Sequence, residues 1–340
     1  MTPLLLGQEP VQPMGSPGAN GTAVRALRME EPVMQQYRWA TGAGLAAVVL
    51  WSTTVALARS VSEQLGPLTG AAAVHAVAGT AAVLSFLARP NRFRAVWLLP
   101  PKYLVGCGVL FVAYMILLYL GLGLAENRQQ ALEVGLLNYL WPVLTLLFSA
   151  ILLRRKTRWT LLPGTLLAMF GIALVLAPES LSEWQLAPSL LGGNNTPRVL
   201  GALAAVTWAL YSVLTHRWAE AKAQGAVDLF LILTAGLVLP MALAIAEPRD
   251  WSPRAVGEAA ALGVATYVAY QLWDIAMRRG NVLLVAAASY LTPLLSTLAS
   301  CAYLAVVPAP RLWWGCLLLV TGSVTSWLAV SARREDASPG

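Results

Sequence analysis

Apolar runs of the length needed to cross a bilayer as a helix recur from Tyr37 to about Ala332, each ended by charged residues or a Pro- and Gly-rich break. About 20 apolar residues span the hydrocarbon core. The pattern predicts ten such helices, centred near Val48, Val77, Val112, Trp141, Phe170, Trp208, Leu237, Tyr267, Leu291 and Leu319. The fourth begins with a polar stretch, NRQQALEVG, and regains its apolar character in LLNYLWPVLTLLFSAILL. Residues 1–36 are rich in Pro, Gly and Gln and are expected to form a disordered tail. Five spans fall in 37–178 and five in 198–332, with 179–197 as a turn-rich linker and 333–340 as a short tail.

The second half repeats the first. A shift of 151 residues sets NYLWPVLTLL on SYLTPLLSTL, pairing Asn138 with Ser289, Tyr139 with Tyr290 and Pro142 with Pro293. The same shift pairs Gly164 with Gly315, Gly171 with Gly322 and Tyr119 with Tyr270, and a slightly different one pairs Trp51 with Trp208. An odd number of spans per half turns the second half over in the membrane. The expected architecture is therefore an all-α membrane protein of ten transmembrane helices, two inverted five-helix repeats around a central cavity. Such repeats characterise transporters with a midplane site where the halves meet.

Composition agrees with this: 58% of residues are hydrophobic, 11% are charged, and the mean hydropathy is +0.64. The net charge of +7 comes from short basic clusters between the apolar runs, which argues for topology and against nucleic acid as a partner. With the amino terminus inside, 17 of the 23 Lys and Arg residues fall on the inner side and 6 on the outer. The positive-inside rule then makes both termini cytoplasmic. Cys107, Cys301 and Cys316 lie in apolar runs without metal-ligand spacing, so no metal or cofactor is expected. The two histidines, His75 and His216, form no catalytic motif, which sets an enzyme aside. A channel and an assembly protein remain as rival classes, and nothing in the sequence requires more than a monomer.

Pro142 and Pro293 each withdraw a helical donor, freeing the carbonyls of Asn138 and Ser289. Kinked helices there would line the path, with those carbonyls and the Asn138 amide available to a substrate ammonium. Tyr37, Trp39, Trp97, Trp159, Trp184, Trp218, Trp251, Trp313 and Trp314 lie near predicted helix ends, where amphipathic rings favour the headgroup layer. A deeper set, Trp51, Tyr114, Tyr119, Tyr139, Trp141, Trp208, Tyr211, Tyr267, Tyr270 and Tyr290, needs partners for its N–H and O–H groups. Trp208 and Tyr211, like Tyr267 and Tyr270, share a helix face at i, i+3. Such walls suit flat, apolar substrates with one polar end. Charged or titratable groups within spans are functional candidates by default. Here these are His75, either a substrate-site residue or a histidine hydrogen-bonded between helices; Glu133, either a proton-coupling group or a partly solvated one near the outer surface; and Asp274, read as an ion pair with Arg278.

From Tyr37 to about Ala332 the chain resembles the drug/metabolite transporter superfamily, as two tandem EamA-type five-helix units. The stretches LWSTTVALARSVSEQLGPLTGAAA from Leu50, RQQALEVGLLNYLWP from Arg128 and GNVLLVAAASYLTP from Gly280 are similar to the branch that exports aromatic amino acids. The first two are long and specific; the third is nearer the general pattern. The resemblance implies export of Phe, Tyr, Trp and related metabolites from cytoplasm to periplasm across a bacterial inner membrane, through a central cavity. Exporters of other metabolites or drugs and channel-like facilitators are the alternatives. The resemblance carries over no coupling ion.

Overall fold

The structure is a computed structural model and describes residues 19–152, 159–176, 194–219, 226–247, 249–280 and 282–335. The elements are helices: α1 (Ala19–Ser52), α2 (Thr54–Leu65), α3 (Pro67–Ala88), α4 (Pro90–Val96), a π turn (Tyr103–Cys107), α5 (Gly108–Gly123), α6 (Arg128–Asn138), α7 (Trp141–Leu152) and α8 (Leu161–Leu176). There follow α9 (Thr196–Trp218), α10 (Ala226–Ala244), α11 (Pro253–Arg279), α12 (Val282–Ser289), α13 (Thr292–Leu304) and α14 (Pro310–Glu335). Among the described residues, six stretches are long and apolar enough to cross a membrane, from Gln35–Leu65 to Ala226–Ala244, and Leu161–Val175 is a shorter apolar helix. One expectation is corrected at the amino terminus: α1 runs back to Ala19, inside the stretch read as a disordered tail. Ala, Arg, Leu, Met, Glu and Gln fill much of that segment, and their helix propensity continues the span outward. Most of the linker 179–197 lies outside the described residues.

Among the described residues, three spans are broken in the middle. α1 passes to α2 at Thr53, whose hydroxyl bonds back to the Leu50 carbonyl at 2.8 Å. α6 passes to α7 at Tyr139–Leu140, and α12 to α13 at Tyr290–Leu291, just before Pro142 and Pro293 respectively. In lipid a broken helix is tolerated only where the freed groups face protein or a cavity.

Helix pairing across the two halves follows one rule. α3 packs on α10 and α8 on α14, while α5 lies on α9 and α1 on α11. All four pairs are antiparallel. Leu68 and Thr69 at the start of α3 donate to Glu247 beyond the end of α10, at 3.0 and 2.7 Å, and Gly79 faces Ala235. Gly44 meets Ala276, whereas Ser60 and Gln64 meet Arg254 and Glu258. Small residues let these backbones approach, which drives helix association where there is no water to exclude. α8 and α14 cross most closely. A Cβ built at Gly322 would stand 2.5 Å from the Gly164 carbonyl oxygen, and one at Gly171 would stand 2.8 Å from that of Gly315.

Trp39, Trp97, Trp159, Trp251 and Trp314 are exposed. Trp218 differs: its ring is spent covering Gly106. Gly322→Ala is expected to lower the unfolding free energy by about 1–3 kcal/mol through overpacking. Gly42→Ala, with nothing within 4 Å of its added methyl, serves as the control that holds its melting temperature in detergent.

Candidate functional site

Trp208, at the middle of α9, is the centre of the aromatic interior. Tyr211 stacks on it at 4.9 Å, and Tyr114 lies at 4.6 Å, Tyr270 at 5.6 Å, and Trp51 and Trp141 each at 6.4 Å between ring centres. Phe111 closes the back of the group against Trp208, Tyr211, Phe230 and Tyr270. These rings come from α1, α5, α7, α9, α10 and α11, so both halves contribute.

In front of them lies a narrow cavity of about 40 Å³. Of the expected site residues, Trp51, Tyr114, Tyr119, Asn138, Tyr139, Trp141, Trp208 and Tyr270 line it. It sits where the broken helices α1–α2, α6–α7 and α12–α13 converge. Among the described residues, none of its lining side chains carries a charge. Two of its polar atoms are buried without a partner, the Asn138 Oδ1 and the Trp51 Nε1.

The other expected residues lie around this cavity. Tyr211 is one ring further out, behind Trp208. Tyr267 turns toward Asp228. Tyr290 is buried, and Ser289 accepts at its carbonyl from the Thr292 hydroxyl at 2.6 Å. The carbonyl that Pro293 frees is thus satisfied by the chain itself. The equivalent position in the first half is Trp141, which offers no hydroxyl, so the repeat is chemically unequal at this point. His75 is wholly buried behind Tyr119, with ring centres 4.6 Å apart. Its Nδ1 is 2.8 Å from the Ala71 carbonyl, which places the proton there, and its Nε2 has no partner.

Several lining residues were not singled out from the sequence: Thr54, Met115, Leu118, Thr266 and Thr292. Thr266 lies 3.4 Å from the Tyr119 hydroxyl. Trp273, 4.9 Å from Trp51, was also passed over, although it follows Tyr270 by three residues on the same helix face.

Polar clusters close the bundle at both ends. At one end Glu63 pairs with Arg59 at 2.9 Å and with Arg128 at 2.8 Å, and Arg128 also donates to the Leu304 carbonyl at 2.6 Å. Gln64 and Tyr303 both donate to Glu258, which pairs with Arg254 at 2.6 Å. α2, α6, α11 and α13 are joined there. Nearby, Glu133 is held by Arg198 at 2.7 Å, which makes it a structural ion-pair partner in this state. At the other end Asp228, fully buried at the start of α10, lies 3.2 Å from Arg92 Nη2. Gln271 donates to the second oxygen of Asp228 at 2.8 Å and accepts from Arg92 at 3.3 Å. The sequence shows Asp228 only as a charge at the edge of an apolar run; its partners are brought in by the fold. The expected Asp274–Arg278 pair rests on a side chain outside the described ones.

Apolar helices closed around an aromatic cavity, with ion pairs confined largely to the ends, define a multi-pass membrane transporter. The chain belongs to the EamA-like transporter family, which matches it twice, over residues 38–177 and 197–328. It is 35% identical over 86% of its length to the aromatic amino acid exporter YddG of Salmonella typhimurium, covering 98% of that protein. It is 34% identical over 85% of its length to that of Escherichia coli, covering 97% of it, and 32% identical over 87% to that of Ancylobacter novellus, covering 98%. A solved crystal structure superposes with a TM-score of 0.62 at 30% identity, over 88% of this chain and 99% of the other.

Asp228→Asn would leave the Arg92 guanidinium buried against a neutral group and is expected to cost about 3–5 kcal/mol of stability. Adding Arg92→Gln should cost less than the sum of the single changes, with a coupling of about 0.5–3 kcal/mol in denaturant unfolding. Additive single changes would mean that the two side chains do not act as a pair.

Proposed function

We propose that the protein exports aromatic amino acids from cytoplasm to periplasm across a bacterial inner membrane by alternating access. The observation that carries this reading is the uncharged cavity at the meeting point of the broken helices, walled by Trp and Tyr from both halves. Its walls match a flat ring, and the relatives named above are aromatic amino acid exporters. Trp51, Tyr114, Trp141, Trp208 and Tyr270 hold the side chain of the substrate. Asn138, with Tyr119 and Tyr139 beside it, receives the polar head. Tyr211 and His75 support this wall from behind, Ser289 and Tyr290 brace the opposing break, and Tyr267 links it to the Asp228 cluster.

The carrier is built as ten spans in two inverted halves, 37–178 and 198–332, joined by the linker 179–197. The exchange of partners supports this: the first helix of one half lies on the third of the other in both directions, and the second and fifth lie on their own counterparts. Gly164 against Gly322 and Gly171 against Gly315 follow the same two-fold rule, since the repeat equates Gly164 with Gly315 and Gly171 with Gly322. The basic clusters orient the Arg92 end and both termini toward the cytoplasm, and the Glu63 end toward the periplasm. In this state polar clusters close both ends, and each must open in turn. A ligand shifts such an equilibrium only by its different affinity for the two states.

Liposomes containing the protein and preloaded with unlabelled phenylalanine are expected to take up labelled tryptophan saturably, and faster than liposomes without preload. Trp141→Ala should lower that initial rate at least tenfold, with protein folding confirmed separately. Uptake that is linear in concentration and indifferent to preload would indicate a pore. No uptake above empty liposomes would remove this substrate class.

A further inference from the structure

The polar end of the cavity has a definite chemistry. Asn138 is 4% exposed, sits at the end of α6 where the fourth span breaks, and keeps its Oδ1 unpaired although its side chain meets the Tyr114 hydroxyl. That atom accepts only. Trp51 Nε1 is the other unpaired polar atom of the cavity, and it donates only. A buried amide oxygen without a partner is costly to maintain, and a ligand that donates to it recovers that cost. The rings of Trp51, Trp208, Tyr114 and Tyr270 line the same cavity, and aromatic rings attract an ammonium. A carboxylate finds no cation on these walls. The cationic side chains nearest in kind, Arg59 and Arg92, are held in the end clusters by Glu63 and Asp228.

From this asymmetry we propose that the cavity recognises the ammonium through the Asn138 oxygen and meets the carboxylate only with neutral donors, the unpaired Trp51 N–H among them, so that aromatic amines lacking a carboxylate are also ligands. The proposal rests on the reading of this cavity as the transport site. An aromatic acid lacking the ammonium is excluded, because a carboxylate met by neutral donors and no cation keeps an uncompensated charge in a low-dielectric site.

The test is binding at neutral pH to the full chain in detergent, with tryptophan, tryptamine and indole-3-propionate as matched probes. Tryptamine should bind within about tenfold of tryptophan, and indole-3-propionate at least a hundredfold more weakly than tryptophan. Asn138→Leu, close in volume, should weaken tryptophan and tryptamine alike by at least tenfold. Trp51→Phe, which keeps the ring and removes the N–H, should weaken tryptophan several-fold and leave tryptamine unchanged. Both variants are checked for an unaltered unfolding profile, and Asn138→Gln replaces Asn138→Leu if the latter does not fold. Indole-3-propionate binding as tightly as tryptamine, or tryptophan binding without tryptamine, would overturn the proposal and leave the exporter reading intact. Tryptamine binding without tryptophan would support it and overturn the amino acid reading. Failure of all three probes to bind folded protein overturns both.

Discussion

Every backbone and side-chain polar group inside this bundle has to be satisfied by protein, because the surrounding hydrocarbon offers neither donor nor acceptor. The uninterrupted helices meet that demand by themselves. At three places the helix is broken, and the breaks converge on one cavity. Thr53 repays the first with a bond to Leu50, and Thr292 repays the third with a bond to Ser289. The second break, between Asn138 and Trp141, has no equivalent hydroxyl and lies beside the unpaired Asn138 oxygen. The proposed site thus lies where the bundle's internal pairing is incomplete.

Association of the helices rests on contact rather than on exclusion of water, since lipid tails are as apolar as leucine. That requirement explains the glycines. Gly164, Gly171, Gly315 and Gly322 bring α8 and α14 into near-backbone contact and make this pair a fixed seam. The aromatic region is packed differently, with tilted and edge-on rings rather than interlocked backbones. Both ends are held by charged clusters.

The bilayer makes much of this legible in the sequence, because it fixes the length of a span and penalises charge within it. The helices, and the six stretches among the described residues that are long and apolar enough to cross a membrane, follow from apolar run length. Helix periodicity brings Trp208 and Tyr270 to the cavity, but it cannot rank residues on one face: Tyr211 and Tyr267 share faces with them and still fall outside. Thr54, Thr266 and Thr292 give no hydropathy signal and are found only once neighbouring helices are placed. The same holds for Arg92 and Asp228, which are far apart in sequence and meet only because α4 folds against α10 and α11. At the amino terminus, composition alone understated the helix, because Pro and Gly before Ala19 concealed the helix-forming residues that follow.

The central claim is that one cavity opens to the two ends in alternation. Pairs of spin labels report it most directly, one pair at Asn127 and Val307 on the Glu63 end and another at Asn91 and Arg279 on the Arg92 end, with Cys107, Cys301 and Cys316 replaced. Measured in lipid with and without tryptophan, the two distance distributions should shift in opposite senses, one end opening as the other closes. Distances that stay fixed during transport, or two ends that open together, would contradict the account.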